Sequence, residues 1–487
     1  MSTTCEKAPT SLLRLGYARA DITPPVGIYH RMWGAARHDA ATGVHRPLQA
    51  DIVVLESLQS GQRTVRLQLD FVGLDNEQTQ RLVHCLVAAT GVAEEQVLVT
   101  HSHSHAAGVF GANRRNLPGG DLIEPYLDEL ADKVEVLAAQ AVADMAPATI
   151  TYAQTRCKMA AHRDYWDGER GLYATGYNPD QDGEDQVLVA RVCGEDGTIR
   201  LVLVNYACHP TTLAWDNTLI SPDYVGALRQ VVESDSGAPC CFYQAPCGEL
   251  GPREGFVGDT EVADRNGRQV GHAALSALYG MGPPQMDFAY LGPVVSGATI
   301  GTWGWQEQDD GRRGQTTAFG GGSFRVPLDM IPLQTSEQLQ ADLERLSAEQ
   351  AQADARGAVV EARDLGARAE RCRRWLGRLP GLPASGPFPV GFSVHQFGDA
   401  VWITCSAEPY SWLASQLRRC FPQLTLMISP LAGDTQIAYL LPRESYGKGL
   451  YQEEPSALAP GCLEELAAAI GQQITALTGQ QAVSGGQ

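Results

Sequence analysis

An apolar run that ends in alternating histidines is the feature that most constrains this chain. The run Val97-Leu98-Val99-Thr100 leads directly into His101, His103 and His105. A short apolar run of this kind predicts a buried β-strand, and residues two apart on a strand point to the same side, about 6–7 Å from one another. Three imidazoles on one side favour a metal site, because neutral imidazole is the commonest protein ligand of transition metals. The alternative is a histidine-rich turn whose ring nitrogens are satisfied by hydrogen bonds.

Two further apolar runs end in polar side chains. Residues 201–204 (LVLV) precede His209, which Pro210 follows, and residues 401–404 (VWIT) precede Glu408. Taken alone, His209 is more often a hydrogen-bonded core residue than a ligand. Glu408 alone is equally well explained as a helix-start residue that the helix dipole favours. The two residues are therefore candidate ligands with structural alternatives.

Bulk composition excludes some classes of function. A chain of 487 residues forms one large domain or two to three average ones. A net charge of −19 argues against nucleic acid as a partner, since a phosphate-binding surface needs a basic stripe. The polar residues 1–9 lack a secretory pattern, and no stretch reaches the ~18–20 apolar residues that cross a bilayer. We therefore expect a cytoplasmic protein without stable membrane insertion.

Strand and helix patterns alternate along the whole chain. This order predicts an α/β fold with large mixed β-sheets flanked by helices. We expect a single domain over residues 12–478, with 1–11 and 479–487 as flexible termini. Residues 336–378 predict a helical hairpin broken near Gly357, and the Gly-rich residues 301–323 predict a mobile surface loop. The twelve cysteines are scattered without a CxxC pair, which favours free thiols.

A series of short motifs adds a family resemblance. The motifs are residues 16–24 (GYARADITP), 100–104, 162–164 (HRD), 205–210 (NYACHP), 221–226, 244–249 and 406–409, and Tyr446 with residues 451–453. In this order and spacing, the chain resembles the catalytic N-terminal region of the neutral/alkaline non-lysosomal ceramidase family.

The resemblance implies one zinc ion held by two histidines, a glutamate and a tyrosine. Matched motif by motif, these metal ligands are His101, His209, Glu408 and Tyr446. The resemblance also implies catalytic roles for His103, beside the metal and facing the substrate amide, for Arg163, near the polar head of the substrate, and for Tyr446. The chemistry is consistent with this set, because Zn²⁺ lowers the pKa of a bound water towards ~7 and polarises a carbonyl.

The substrate is less determined than the chemistry. Ceramidases of this family are usually secreted or membrane-facing and carry a C-terminal β-sandwich domain, whereas this sequence ends shortly after Tyr446. We therefore expect that domain to be lacking, and predict a zinc-dependent amidohydrolase acting on a small-molecule amide such as an N-acyl compound. The alternatives are a ceramidase acting on N-acylsphingosine lipids, a non-catalytic zinc-binding relative, and a cysteine enzyme using Cys208 or Cys247. A homo-oligomer is left open.

Overall fold

An eight-stranded sheet is the largest element of the computed structural model, which describes residues 4–433 and 436–483. Its strands, in spatial order, are Cys240–Gln244, Ile199–Tyr206, Gln186–Cys193, Ala146–Arg156, Thr10–Asp21, Gln49–Glu56, Arg63–Leu69 and Val97–His101. The outermost pair at each edge is parallel and the inner pairs are antiparallel. Each parallel pair requires a crossover, which the helices Tyr224–Ser236 and Asn76–Thr90 provide.

Both faces of this sheet are covered, and side chains alternate between the two faces along each strand. Ile52 and Val54 face the helices, while Val53 and Leu55 face a second sheet. Helices Asn76–Thr90 and Ile123–Ala143 pack on one half of the outer face, and helices Tyr224–Ser236 and Thr260–Gly280 pack on the other half. Strands buried on both sides read as continuous apolar runs, which is why residues 97–99 and 201–204 stand out in the sequence.

The second sheet has four strands and packs on the inner face of the first. Its strands are Phe319–Leu328, Phe388–Phe397, Ala400–Cys405 and Thr425–Pro430, and the last pair is parallel. Phe397, Trp402 and Met427 contact the large sheet. Helices Trp412–Cys420 and Cys462–Thr478 cover the other face. The layers are helix, sheet, sheet, helix, and the predicted α/β fold with large mixed sheets is confirmed.

Peripheral elements surround these layers. Helices Ser336–Ala355 and Val359–Arg378 form the predicted hairpin, with Gly357 in the left-handed region at the turn. The short strands are Cys5–Glu6, Gly43–Val44, Ala160–His162, Asp164–Asp167, Leu172–Thr175, Leu219–Ile220, Leu250–Pro252, Glu408–Pro409 and Tyr439–Leu440. Single 3₁₀ turns lie at Glu94–Gln96, Ala112–Arg114, Gly120–Leu122, Leu379–Gly381, Arg443–Ser445 and Tyr451–Glu453.

The prediction of a mobile surface loop at residues 301–323 is wrong. Strand Ala298–Glu307 pairs with Met286–Ser296, helix Asp310–Thr316 follows, and strand Phe319–Leu328 begins the small sheet. Some of the glycines serve packing, because a Cβ at Gly304 would lie 2.8 Å from the Leu291 side chain and one at Gly321 would lie 2.1 Å from a strand carbonyl. Over the described ranges, no helix has the length and apolar character that a membrane span requires.

Candidate metal centre

The candidate site forms from the segments that follow three strands. His103 and His105 follow strand Val97–His101, His209 follows strand Ile199–Tyr206, and Glu408 follows strand Ala400–Cys405. Strands Val97–His101 and Ile199–Tyr206 run in opposite directions, because five antiparallel pairings separate the parallel pairs at the two edges of the large sheet. The segments that follow the three strands, rather than a shared edge of one sheet, bring the polar side chains together. Side chains more than 300 residues apart in sequence therefore meet.

His103 bends the chain away from the strand. Its φ of 66° lies in the left-handed region, which non-glycine residues rarely adopt and which is common at functional sites. Its Nδ1 lies 2.6 Å from the carbonyl oxygen of Val72, and this contact leaves Nε2 3.2 Å from Glu408 Oε2. The bend ends the period-two alternation, so His101 and His103 no longer share one side.

His209 completes the centre of the site. Its Nδ1 lies 2.8 Å from the carbonyl oxygen of Cys247, and this contact orients the ring so that Nε2 lies 3.5 Å from Glu408 Oε2. The ligand atoms of His103, His105 and His209 all lie within 4.8 Å of one another. Burial, with Arg163 nearby, lowers the pKa of His209 to about 3, so this imidazole is neutral at physiological pH.

Several donor atoms of this cluster are buried and lack hydrogen-bond partners outside it. Both ring nitrogens of His105 have none among the described residues, and His103 Nε2 and Glu408 Oε2 have only their contacts of 3.2–3.5 Å within the cluster. Burial alone would raise the pKa of Glu408, but His103 and His209 hold it well below its ordinary value. Orphaned buried polar atoms are rare in native proteins and require an explanation. Neutral imidazoles around one carboxylate fit a divalent transition metal such as zinc.

Tyr439 stands beside this cluster and was missed by sequence reasoning. It belongs to the two-residue strand that pairs in parallel with Glu408–Pro409. Its hydroxyl lies 3.4 Å from His209 Nε2 and accepts a 3.0 Å hydrogen bond from Arg163. The only sequence signal is a single hydroxyl inside the apolar run 437–441, since a buried tyrosine needs a hydrogen-bond partner.

Two of the predicted ligands lie outside this cluster. His101 Nδ1 contacts the carbonyl oxygen of Leu431 at 3.0 Å. The Tyr446 hydroxyl donates to the carbonyl oxygen of Leu458 at 3.2 Å and packs against the core of the small sheet. The structure therefore brings His103, His209 and Glu408 together and does not bring His101 or Tyr446 to them. Which of these residues bind a metal ion stays a prediction.

Arg163 is close to the cluster but is turned inward. Only 2% of the residue is exposed, and its guanidinium donates to the carbonyl oxygen of Gly248 at 2.6 Å as well as to Tyr439. In this position it orients Tyr439 and the Gly248 loop. Contact with a polar head of the substrate, as the resemblance implies, stays a prediction.

Aromatic side chains pack beside His105. The Trp33 ring lies 5.4 Å from the ring of His105, 5.6 Å from that of Phe256 and 6.3 Å from that of Trp215, which is 37% exposed. His105 and Trp33 also lie, with His30, His38 and Asn217, around a narrow gap that has no room for a water molecule. Apolar rings therefore border His105 on this side.

The two candidate cysteines lie in the protein interior. Cys208 and Cys247 are both buried, and burial raises the pKa of each thiol. Reactive cysteines instead lie in partly exposed sites that lower the pKa of the thiol. Cys208 therefore has the environment of a structural cysteine. Cys247 is also buried, but its Sγ lies 3.2 Å from His209 Nδ1, so the cysteine mechanism stays an alternative at that residue.

Comparison with known proteins decides the family. Residues 13–253 match the family model described as neutral/alkaline non-lysosomal ceramidase, N-terminal. This part of the chain belongs to that family. The predicted resemblance is thereby confirmed. The matched residues include His103, His105, Arg163 and His209, whereas Glu408 lies beyond them.

Individual ceramidases match this chain over different shares of its length. The neutral ceramidase of Pseudomonas aeruginosa is 26% identical over 287 residues, which are 55% of this chain and 41% of that protein. The matched part of the chain thus spans about two fifths of that relative. The crystal structure of neutral ceramidase from Pseudomonas aeruginosa superposes with a TM-score of 0.65 at 16% identity, covering 99% of this chain and 76% of that one. A solved structure titled as ceramidase complexed with C2 gives the same TM-score and identity over 77% of its chain. These structures show that the ceramidase fold extends over the whole chain.

Proposed function

We propose that this chain is a zinc-dependent hydrolase that cleaves the C–N bond of an amide, such as an N-acyl small molecule. The observation that carries the proposal is the buried meeting of His103, His209 and Glu408. Among the described residues, His103 Nε2 and Glu408 Oε2 have no hydrogen-bond partner outside this cluster. Membership of the ceramidase family supports a hydrolase of the amidase class. Zinc itself is part of the proposal.

The donor set fits one zinc ion. His103, His209 and Glu408 would hold it, with the Tyr439 hydroxyl beside them. Two neutral imidazoles and one carboxylate leave the ion with a net positive charge. When bound, zinc supplies a water whose pKa lies near ~7 and polarises the carbonyl of the substrate.

His105 is positioned for proton transfer. Its ring centroid lies 4.8 Å from that of His103 and 5.9 Å from that of His209. Burial, together with those two imidazoles, holds the pKa of His105 well below its ordinary value, so the ring is neutral and can take a proton. We assign His105 the transfer of a proton from the attacking water to the leaving nitrogen.

Tyr439 and Arg163 act together on the carbonyl oxygen of the substrate. Because Arg163 donates to Tyr439 Oη, the hydroxyl proton of Tyr439 is directed away from Arg163 and towards the cluster. A positioned O–H donor stabilises the oxyanion that develops when water adds to an amide. Arg163 is thus a positioning residue in this proposal.

The aromatic rings beside His105 indicate which kind of amide the site would accept. Trp33, Trp215 and Phe256 offer an apolar surface next to His105, which favours an amide with an apolar substituent. An N-acylsphingosine lipid is the second candidate substrate, and its support is the family match. The cytoplasmic location, the domain limits of 12–478 and a homo-oligomer also stay predictions.

Metal content and amide hydrolysis, measured on the same preparation, test the proposal. We expect about one zinc ion per chain and turnover of members of an N-acyl amide panel that includes N-acylsphingosines. His209→Ala should lose both metal and activity, whereas His272→Ala, at an exposed histidine, should keep both. Full activity of the metal-free protein would refute the zinc mechanism. Zinc binding without turnover of any amide or ester would instead support a non-catalytic relative.

A further inference from the structure

A β-hairpin presents apolar side chains to solvent on both of its faces. It is formed by strands Met286–Ser296 and Ala298–Glu307, and its outer part, residues 293–301, is exposed at every position. Val294 and Val295 are consecutive, so their side chains point to opposite faces. Six large apolar side chains of the hairpin are 41–82% exposed: Leu291, Val294, Val295, Ile300, Trp303 and Trp305. Contiguous exposed apolar side chains are typical of an interaction site.

The outer edge of this β-hairpin carries unpaired backbone groups. Strand Met286–Ser296 pairs with Ala298–Glu307 on one side and with the short strand Cys5–Glu6 on the other, whereas no described strand pairs with the outer edge of Ala298–Glu307. Such an edge offers a row of N–H and C=O groups to another strand. Proteins commonly block exposed edges with charged residues or proline, but residues 298–306 contain neither.

No charged residue interrupts the β-hairpin. Residues 288–306 are all uncharged, although the chain has a net charge of −19. The carboxylates that bound this stretch, Asp287 and Glu307, lie at the base of the hairpin, about 30 Å from its tip at about 3.3 Å per residue. This separation exceeds the Debye length of about 8 Å at physiological ionic strength. The acidic groups at the base therefore do not repel a second acidic molecule that binds at the tip.

A lipid surface fits this β-hairpin poorly. The core of a bilayer has no partners for backbone N–H and C=O groups, so open strand edges do not occur there. Segments that lie on a membrane also use lysine or arginine to contact the lipid headgroups, and residues 288–306 contain neither. A second copy of the same strand instead supplies an apolar surface together with N–H and C=O groups in matching positions.

We propose that two copies of this chain associate through the β-hairpin, with their Ala298–Glu307 strands paired edge to edge. Antiparallel pairing around a two-fold axis uses the same edge in both copies. With the strands fully overlapped, Glu307 of each copy lies opposite the uncharged tip of the other copy. The uncharged stretch 288–306 approaches the roughly 20–30 residues that each partner contributes to a standard interface. The inference holds whether or not the chain is an amidase.

The mass of the protein in solution is the first test. Analytical ultracentrifugation of the full chain over a wide range of concentration should show a species of twice the chain mass. The double variant Val295→Lys/Ile300→Lys should sediment as a single chain, because lysine on an exposed strand edge opposes pairing. Both lysines lower the net negative charge, so general repulsion does not explain such a loss. Val136→Lys, at a 58% exposed valine on helix Ile123–Ala143, should still dimerise.

Amide hydrogen exchange gives the second test, which locates the contact. In the wild type, the amides of Ala298–Glu307 that face away from Met286–Ser296 should exchange more slowly than in the double variant. A wild type that stays monomeric at every concentration, or a dimer that persists in the folded double variant, would overturn the proposal. Binding of a monomeric wild type to phosphatidylcholine vesicles, lost in the double variant, would overturn it in favour of a lipid surface.

Discussion

The buried carboxyl group of Glu249 should make the stability of this protein depend on pH. Burial raises the pKa of Glu249 to about 7, although the backbone N–H and hydroxyl of Ser411 donate to it. The ordinary value is 4.5, so the folded protein holds a proton that the unfolded chain releases. The stabilisation is fully present below pH 4.5 and is lost as the pH rises through 7.

The magnitude follows from the difference between the two pKa values. A pKa difference of about 2.5 corresponds to about 3.5 kcal/mol, because one pH unit corresponds to about 1.4 kcal/mol. Glu249→Gln removes the titration, and the Ser411 hydroxyl can accept from the new amide as readily as it now donates. The free energy of unfolding of the wild type should therefore fall relative to the variant by about 1.4 kcal/mol per pH unit between pH 5 and 6.5.

Urea unfolding of both proteins between pH 5 and 8, with saturating zinc, measures this difference. Subtracting the two curves removes the contributions of the other titrating groups, which the variants share. Glu254→Gln is the matched control, because that carboxylate is 58% exposed and pairs with Arg265 at the surface. A difference between wild type and Glu249→Gln that stays flat across this range would refute the reasoning.

Three further predictions address the site and the core. Tyr439→Phe should lower kcat about 100-fold with an unchanged fold, because it removes an oxyanion donor; steady-state kinetics check this. Trp33→Ala should lower kcat/KM about tenfold for long acyl chains and little for acetyl amides, because the apolar wall beside His105 is lost; a chain-length series checks this. Asp70→Asn should lower the free energy of unfolding by about 3–5 kcal/mol, because Arg229 loses a buried two-point partner; urea unfolding checks this.

Each of these predictions has a control in the same chain. Tyr446→Phe should leave kcat and metal content nearly unchanged, and loss of metal in that variant would contradict the placement of Tyr446 outside the cluster. Equal losses of kcat/KM for all acyl chains in Trp33→Ala would argue against an apolar binding role. Glu254→Gln should cost less than about 1 kcal/mol, as exposed ion pairs do. If Asp70→Asn also lowered the free energy of unfolding by less than about 1 kcal/mol, the buried pair of Asp70 and Arg229 would contribute little.

Local pattern made the elements around the site predictable. The apolar runs at 97–99 and 201–204 are buried strands because helices cover one face of their sheet and the small sheet covers the other. The helical hairpin broken near Gly357 was predictable for a similar reason, since glycine in the left-handed region ends a helix. Residues 301–323 were not, because glycine content alone does not reveal that a neighbouring strand packs against the missing side chains.

The sequence by itself determined which kinds of side chain follow the strands: imidazoles after two of them and a carboxylate after a third. The tertiary structure decided which of these side chains meet. The chain turns at His103, where the backbone is in the left-handed region. His103 and His105, rather than His101, therefore lie beside His209. A pairing of two short strands places Tyr439, and not Tyr446, beside Glu408. A backbone turn and a long-range strand pairing depend on the packing of the whole chain, so no local pattern encodes them.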